Sequence, residues 1–283
     1  MFKTSHHTQH LLLLLLLIHH LQLSKASTFI YKGCSTTTST TSSDPSSSFH
    51  TNLNSLLSSM ANSASQSSYN TFSSNSSTSS SPLFGLYQCR GDLSNPDCFN
   101  CISSAIAQLA LLCSPDALGA TIQLDGCYLR YESDPSFIGT LDTTLVYKKC
   151  SDSLSSDGDF FRRRDDVLGD LENGVGFRVS SSGSVEGFAQ CLGDLRADDC
   201  GKCLAEAVGK LKNACGAAVA ADVFLAQCYA SYWAAGYYPL SSSAKGARDD
   251  DDIGRTVAII VGALAGVAVV VVFLSFLRKA MSY

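Results

Sequence analysis

The chain has 283 residues, 45% of them hydrophobic and 16% charged, with 12 cysteines and a formal net charge of −5. That length suits two modest domains, and the acidic balance excludes a nucleic-acid partner, whose phosphates demand a basic face. Five of the six histidines precede residue 21, so beyond it only His50 remains for hydrolytic triads or histidine-ligated metals.

The first residues, MFKTSHHTQH, run into LLLLLLLIHHLQL and then SKAS. A weakly basic start, a short apolar core and a small-residue cleavage site read as a secretory signal peptide over residues 1–26, cut after Ala26 with Ser24 and Ala26 as the small pair. The apolar run from Leu11 to Ile18 is too short to cross a bilayer. The rest of the chain is therefore expected to meet an oxidising compartment.

An extended run, FIYKGC, ends at Cys34, and then Phe49, Leu53, Leu56, Leu57 and Met60 recur at helical spacing. Ser/Thr-rich stretches from Ser35 to Ser48 and from Ser63 to Ser81 flank that helix and are expected as loops. The second carries a sequon, Asn75-Ser76-Ser77, which would project a glycan. LFGLYQC reads as a strand leading to Cys89. After Asp97, the residues Ile102, Ile106, Leu109 and Leu112 mark a second helix, with Asp97 suited to its N-terminus as a cap or dipole partner. In TIQLDGCYLRY, apolar and aromatic residues alternate as in strands. The order then recurs: TLVYKKC to Cys150, a looser helix on Phe161, Val167, Leu168 and Leu171, the strand VEGFAQC to Cys191, a helix after Asp199, and strands in DVFLAQCYASYW. Strand, helix, strand, helix, strands, twice over, predicts the α+β class: two tandem disulfide-rich domains, residues 27–135 and 140–238, each with two helices on an antiparallel sheet.

The recurrence becomes literal at one place. CRGDLSNPDCFNC spans Cys89 to Cys101, and CLGDLRADDCGKC spans Cys191 to Cys203. Cys89, Cys98, Cys101, Cys113 and Cys127 are separated by eight, two, eleven and thirteen residues; Cys191, Cys200, Cys203, Cys215 and Cys228 by eight, two, eleven and twelve. Cys34 and Cys150 each precede one set, giving two groups of six. Even numbers at matched spacing in a secreted chain read as a disulfide framework. Each Cys-x-x-Cys has a redox or zinc alternative, but neither lies near a histidine. On a helix its two cysteines fall one turn apart on one face, where a mutual bond would constrain almost nothing, so they are expected to reach different partners.

Other signals weigh less. Arg90-Gly91-Asp92 resembles an adhesion tripeptide, yet the second copy writes Leu192-Gly193-Asp194, so Gly-Asp reads as structural and the arginine as incidental. Asp165 and Asp166 beside Arg162 to Arg164 read as a solvated helix face. No residues are assigned to catalysis, to a metal or to a cofactor, and the protein is expected not to be an enzyme.

Residues 239–255 form a linker with an acidic run, Asp249 to Asp252, and TVAIIVGALAGVAVVVVFLSFL follows from Thr256 to Leu277 without a charge. As a helix those residues would rise roughly 33 Å, one bilayer core. Arg278 and Lys279 open the tail 278–283 and keep it cytoplasmic, which places the repeats outside. Ala258, Gly262 and Gly266 form a small-residue face suited to lateral helix association, although small residues are also common in generic anchors.

Two C-x8-C-x2-C clusters between a signal peptide and a lone membrane span resemble the plant family whose ectodomains are tandem ginkbilobin-homologous (DUF26) domains. With no kinase after the span, the chain is similar to the plasmodesmata-located and cysteine-rich repeat secretory proteins. That resemblance implies the pairing Cys34 with Cys113, Cys89 with Cys98, Cys101 with Cys127, Cys150 with Cys215, Cys191 with Cys200 and Cys203 with Cys228; six cysteines alone permit 15 pairings. It implies a non-enzymatic protein of the plasma membrane at plasmodesmata, regulating symplastic traffic through callose and defence or viral movement proteins. Its partners would be the membrane itself, lateral homo- or hetero-oligomers with other plasmodesmal proteins, and a wall polysaccharide or movement protein. The alternative is an extracellular carbohydrate- or protein-binding module. Ginkbilobin-like lectins hold mannose with an asparagine, an arginine and a glutamate; the matching places here are Ser35, Thr121 and Glu132, then Ser151, Asp222 and Trp233, so only Glu132 keeps the lectin chemistry.

Overall fold

A computed structural model describes residues 28–35, 48–74 and 82–237. The signal peptide, Asn75, the linker and the apolar segment bearing Ala258, Gly262 and Gly266 lie outside the described residues. In the first repeat the chain runs β1 (Phe29–Cys34), α1 (Ser48–Ala64), β2 (Tyr69–Ser74), β3 (Leu83–Cys89), α2 (Asn95–Leu112), β4 (Gly119–Leu124) and β5 (Cys127–Glu132). A 3-10 turn at Pro135–Phe137 leads into β6 (Leu145–Cys150), α3 (Gly158–Glu172), β7 (Phe177–Ser182), β8 (Val185–Cys191), α4 (Ala197–Cys215), β9 (Ala220–Leu225) and β10 (Cys228–Ala234). Each repeat is a five-stranded antiparallel sheet, ordered β1-β4-β5-β3-β2 and β6-β9-β10-β8-β7, with both helices on one face.

β2 and β7 differ from the expected order. The stretch from Ser63 to Ser81, expected to be a loop, contains YNTFSS pairing with β3 from Tyr69↔Gln88 to Ser74↔Leu83. FRVSSS does the same against β8. Both are edge strands, which need one neighbour and little burial, so hydroxyl side chains suffice and the period-2 apolar signal is absent.

The helix starts also shift. α2 begins at Asn95, capped by Ser94, whose Oγ accepts from the Asp97 amide at 3.4 Å; Asp97 takes the first-turn position beside the positive end of the dipole. α4 follows Arg196 without a side-chain cap, and Asp199 instead accepts from Lys202 Nζ at 3.0 Å. On α2 the buried stripe is Cys98, Cys101, Ile102, Ala105 and Leu109, while the expected Leu112 stands 37% exposed. On α3 Phe160 rather than Phe161 is buried.

Beneath the helices, Phe49, Leu53, Leu56 and Met60 of α1 meet Ile102 and Leu109 of α2 over Leu83, Ile122, Leu129 and Tyr131. Burying such a side chain contributes about 1.5–3 kcal/mol. Gly85 gives Met60 its room, since a Cβ there would stand 3.1 Å from the Met60 methyl. Tyr131 donates to the Ala117 carbonyl at 3.1 Å and Tyr232 to that of Ala218 at 2.9 Å, one anchor used twice.

Three disulfides lace each repeat: Cys34–Cys113, Cys89–Cys98 and Cys101–Cys127, then Cys150–Cys215, Cys191–Cys200 and Cys203–Cys228. One ties β1 or β6 to the far end of α2 or α4. The other two tie the same helix to the strands on which it lies, so both cysteines of each Cys-x-x-Cys look inward toward different strands.

Candidate functional site

Alternation along β3 sends Tyr87 and Cys89 into the core and therefore turns Gln88 to the helix-free face. Register places Tyr69, Gln88, Tyr128, Gln123 and Tyr31 abreast across that face. Phe177, Gln190, Tyr229, Phe224 and Tyr147 are their counterparts in the second repeat. Both repeats belong to one compact unit, and these two rows meet. The Tyr31 ring stacks on Tyr147 with centroids 6.3 Å apart and stands edge-on to Phe224 at 6.0 Å. Gln190 Nε2 donates to the Cys89 carbonyl at 3.1 Å, and the Gly193 amide donates to Gln88 Oε1 at 3.0 Å.

The phrase written twice, Gly-Asp-Leu after a cysteine, sits at this seam. A Cβ on Gly91 would fall 2.5 Å from Phe177, and one on Gly193 would fall 2.7 Å from the Tyr69 ring, so each repeat presents a glycine to the other's edge-strand aromatic. Leu93 and Leu195 pack against their own cores. Asp92 accepts from Arg90 Nε at 2.7 Å, while Asp194 accepts from the Gly139 amide at 2.8 Å and so fastens the inter-repeat connection.

Arg90 is the seam's charged centre, which corrects the reading of it as incidental. It is 6% exposed, bonds Asp92 and Asp125, and lies 5.4 Å from the Phe188 ring centroid of the other repeat. Burial opposes its charge, but the hydrogen bond to Asp92 and the field of Asp125 more than offset that and hold its pKa above the ordinary value. An arginine buried against its own Asp92 offers no adhesion tripeptide. The cavity beside it, about 20 Å³, has room for a water molecule and none for a metabolite.

At the lectin-like positions, Thr121 and Glu132 flank Arg130, a guanidinium that the motif reading did not place there. Thr121 pairs across to Arg130, and Glu132 Oε1 lies 3.2 Å from its Nη2. Phe137 of the 3-10 turn stacks 4.5 Å from the same guanidinium. Both the carboxylate and the guanidinium are thus engaged within the repeat. Ser35 and Ser151 donate backbone amides to the Gly119 and Ala220 carbonyls, and Trp233 stands edge-on to Phe188.

His50 approaches Asp116 at 3.1 Å, tying α1 to the turn after α2. The α3 charges divide: Arg162 and Arg163 pair with Asp159 on the outside, whereas Arg164 is 9% exposed and donates to the Gly216 carbonyl, contrary to a wholly solvated face. No group of three or more His, Cys, Asp or Glu side chains among the described residues is arranged to hold a metal ion.

Fold and sulfur framework together define a tandem pair of cysteine-rich α+β domains. The family model described as salt stress response/antifungal matches residues 33–134 and 148–235. Plasmodesmata-located protein 8 of Arabidopsis thaliana is 51% identical over 89% of this chain and 90% of its own length, and plasmodesmata-located protein 7 is 46% identical over 92% and 85%. The crystal structure of the tandem DUF26 ectodomain of the Arabidopsis thaliana cysteine-rich receptor-like protein PDLP8 matches with a TM-score of 0.69 at 53% identity, covering 74% of this chain and all of that one. The chain belongs to this family of tandem DUF26, plasmodesmata-located proteins.

Proposed function

We propose that the chain is a non-enzymatic membrane protein of plasmodesmata that regulates cell-to-cell traffic, acting through callose and through defence or viral movement proteins. One observation carries this reading: identity to plasmodesmata-located relatives extends over about nine-tenths of both chains, beyond the ectodomain alone. In this reading the two repeats face outside and the uncharged segment 256–277 anchors them in the plasma membrane. Lateral partners would approach the segment along the small-residue face of Ala258, Gly262 and Gly266. Imaging of a tagged chain together with dye spread between cells tests the reading. Punctate wall-spanning signal and altered spread on overexpression are expected; a uniform plasma-membrane signal with unchanged spread rejects it.

A further inference from the structure

The two repeats share one fold but not one surface. On the second, α3 carries eight Asp, Glu, Lys or Arg residues and α4 six. On the first, α1 carries none and α2 only Asp97, over 17 and 18 residues. Solvent-facing helices ordinarily carry charge on their outer side, as the second repeat does, so the first repeat's layer departs from an internal control of the same architecture. Ser55, Ser58, Ser59 and Asn62 of α1 and Ala107 and Ala110 of α2 are exposed. Among them Leu111 is 86% exposed and Phe99 37%.

We propose that this uncharged α1–α2 face is a self-association surface, on which a second copy of the chain docks helix layer against helix layer about a two-fold axis. Charge selects that occupant. The chain is net negative at −5, so copies repel one another where their charges meet, and the neutral layer is the face on which two copies approach without that cost. Short side chains let helices draw close, and Leu111 and Phe99 leave water on contact. Helices of 17 and 18 residues make a face about 26 Å long and, side by side, about 20 Å wide, the footprint of a weak, reversible interface. The contact needs neither the membrane anchor nor the plasmodesmal role.

Sedimentation equilibrium of residues 27–237 tests it, since a relative's ectodomain of the same extent is a folded, crystallised unit. A concentration-dependent dimer is expected, with dissociation in the micromolar range and no weakening as salt rises. Ala107→Glu with Leu111→Glu should raise the dissociation constant at least about tenfold by setting like charges together across the axis, with the melting temperature unchanged. Ala205→Glu on the exposed side of α4 should leave it unchanged. A monomer at all concentrations up to about 100 µM, a dimer indifferent to the α2 pair, or one weakened equally by Ala205→Glu overturns the proposal. So does an ectodomain that remains monomeric while binding a neutral glucan oligosaccharide through α1–α2, which would give the face to the wall.

Discussion

Arg90 shows how far a single position departs from its repeat partner. The second repeat has Leu192 there, yet Arg90 is buried between two carboxylates of its own repeat and a ring of the other. Arg90→Leu is therefore expected to lower stability by about 2–3 kcal/mol, less than for a fully buried pair because Asp92 and Asp125 keep partial access to water. Urea denaturation reads the change. Tyr131 carries a pH dependence: burial, and then the nearby Glu132, push its phenol up to about 12. Because the folded pKa is raised, its contribution is whole below pH 10 and declines as the pH rises toward 12, where the unfolded chain has given up a proton that the folded chain keeps. This residue's share, about 2–3 kcal/mol, should disappear across that window together with the shares of other tyrosines that burial raises, Tyr69 and Tyr232 among them, and Tyr131→Phe should remove its own part of the slope.

The elements were legible in proportion to their burial. The helical spacing of Phe49, Leu53, Leu56 and Met60 marks α1 because all four point inward, whereas β2 and β7 carry no such mark, since Ser73, Ser74 and Ser180 to Ser182 serve an edge without leaving an apolar rhythm. A closer sign was present in the second copy, where Gly183, at φ +57, turns FRVSSS back onto VEGFAQC. The sulfur pairing was a different matter, for spacing divides the cysteines into two sixes and only family resemblance selected partners within each. Bridge length ranks their effects. Replacing Cys34 and Cys113 by serine opens a 79-residue separation and should cost about 4.5 kcal/mol, while Cys89 with Cys98, nine apart, should cost about 2.7 kcal/mol. Thermal unfolding of the two double variants should preserve that order.

At the scale of the molecule, the seam explains why one phrase is spelled twice. Gly91 and Gly193 stand out in the sequence as a repeated pair, but their reason lies across the boundary, in Phe177 and Tyr69 on edge strands that leave no apolar pattern. Gln88 and Gln190, each directly before a cysteine, were a visible signal of the same symmetry. Gly91→Ala with Gly193→Ala should force the repeats apart while each keeps its own core. Small-angle scattering should show a larger radius of gyration, and proteolysis should reach the connection 133–144, with the far-ultraviolet circular dichroism unchanged. An unaltered radius would mean that the aromatics yield and the glycines are not required.

The described chain ends just after β10, and β10 is the middle strand of its sheet, flanked by β8 and β9 and bolted to α4 through Cys228. Traction arriving from beyond Tyr237 therefore enters at the sheet's centre rather than at a peelable margin. Two ladders must shear together before the strand slips, and the covalent bolt stops it even then, so a pull applied from that end would load the part of the molecule best built to resist.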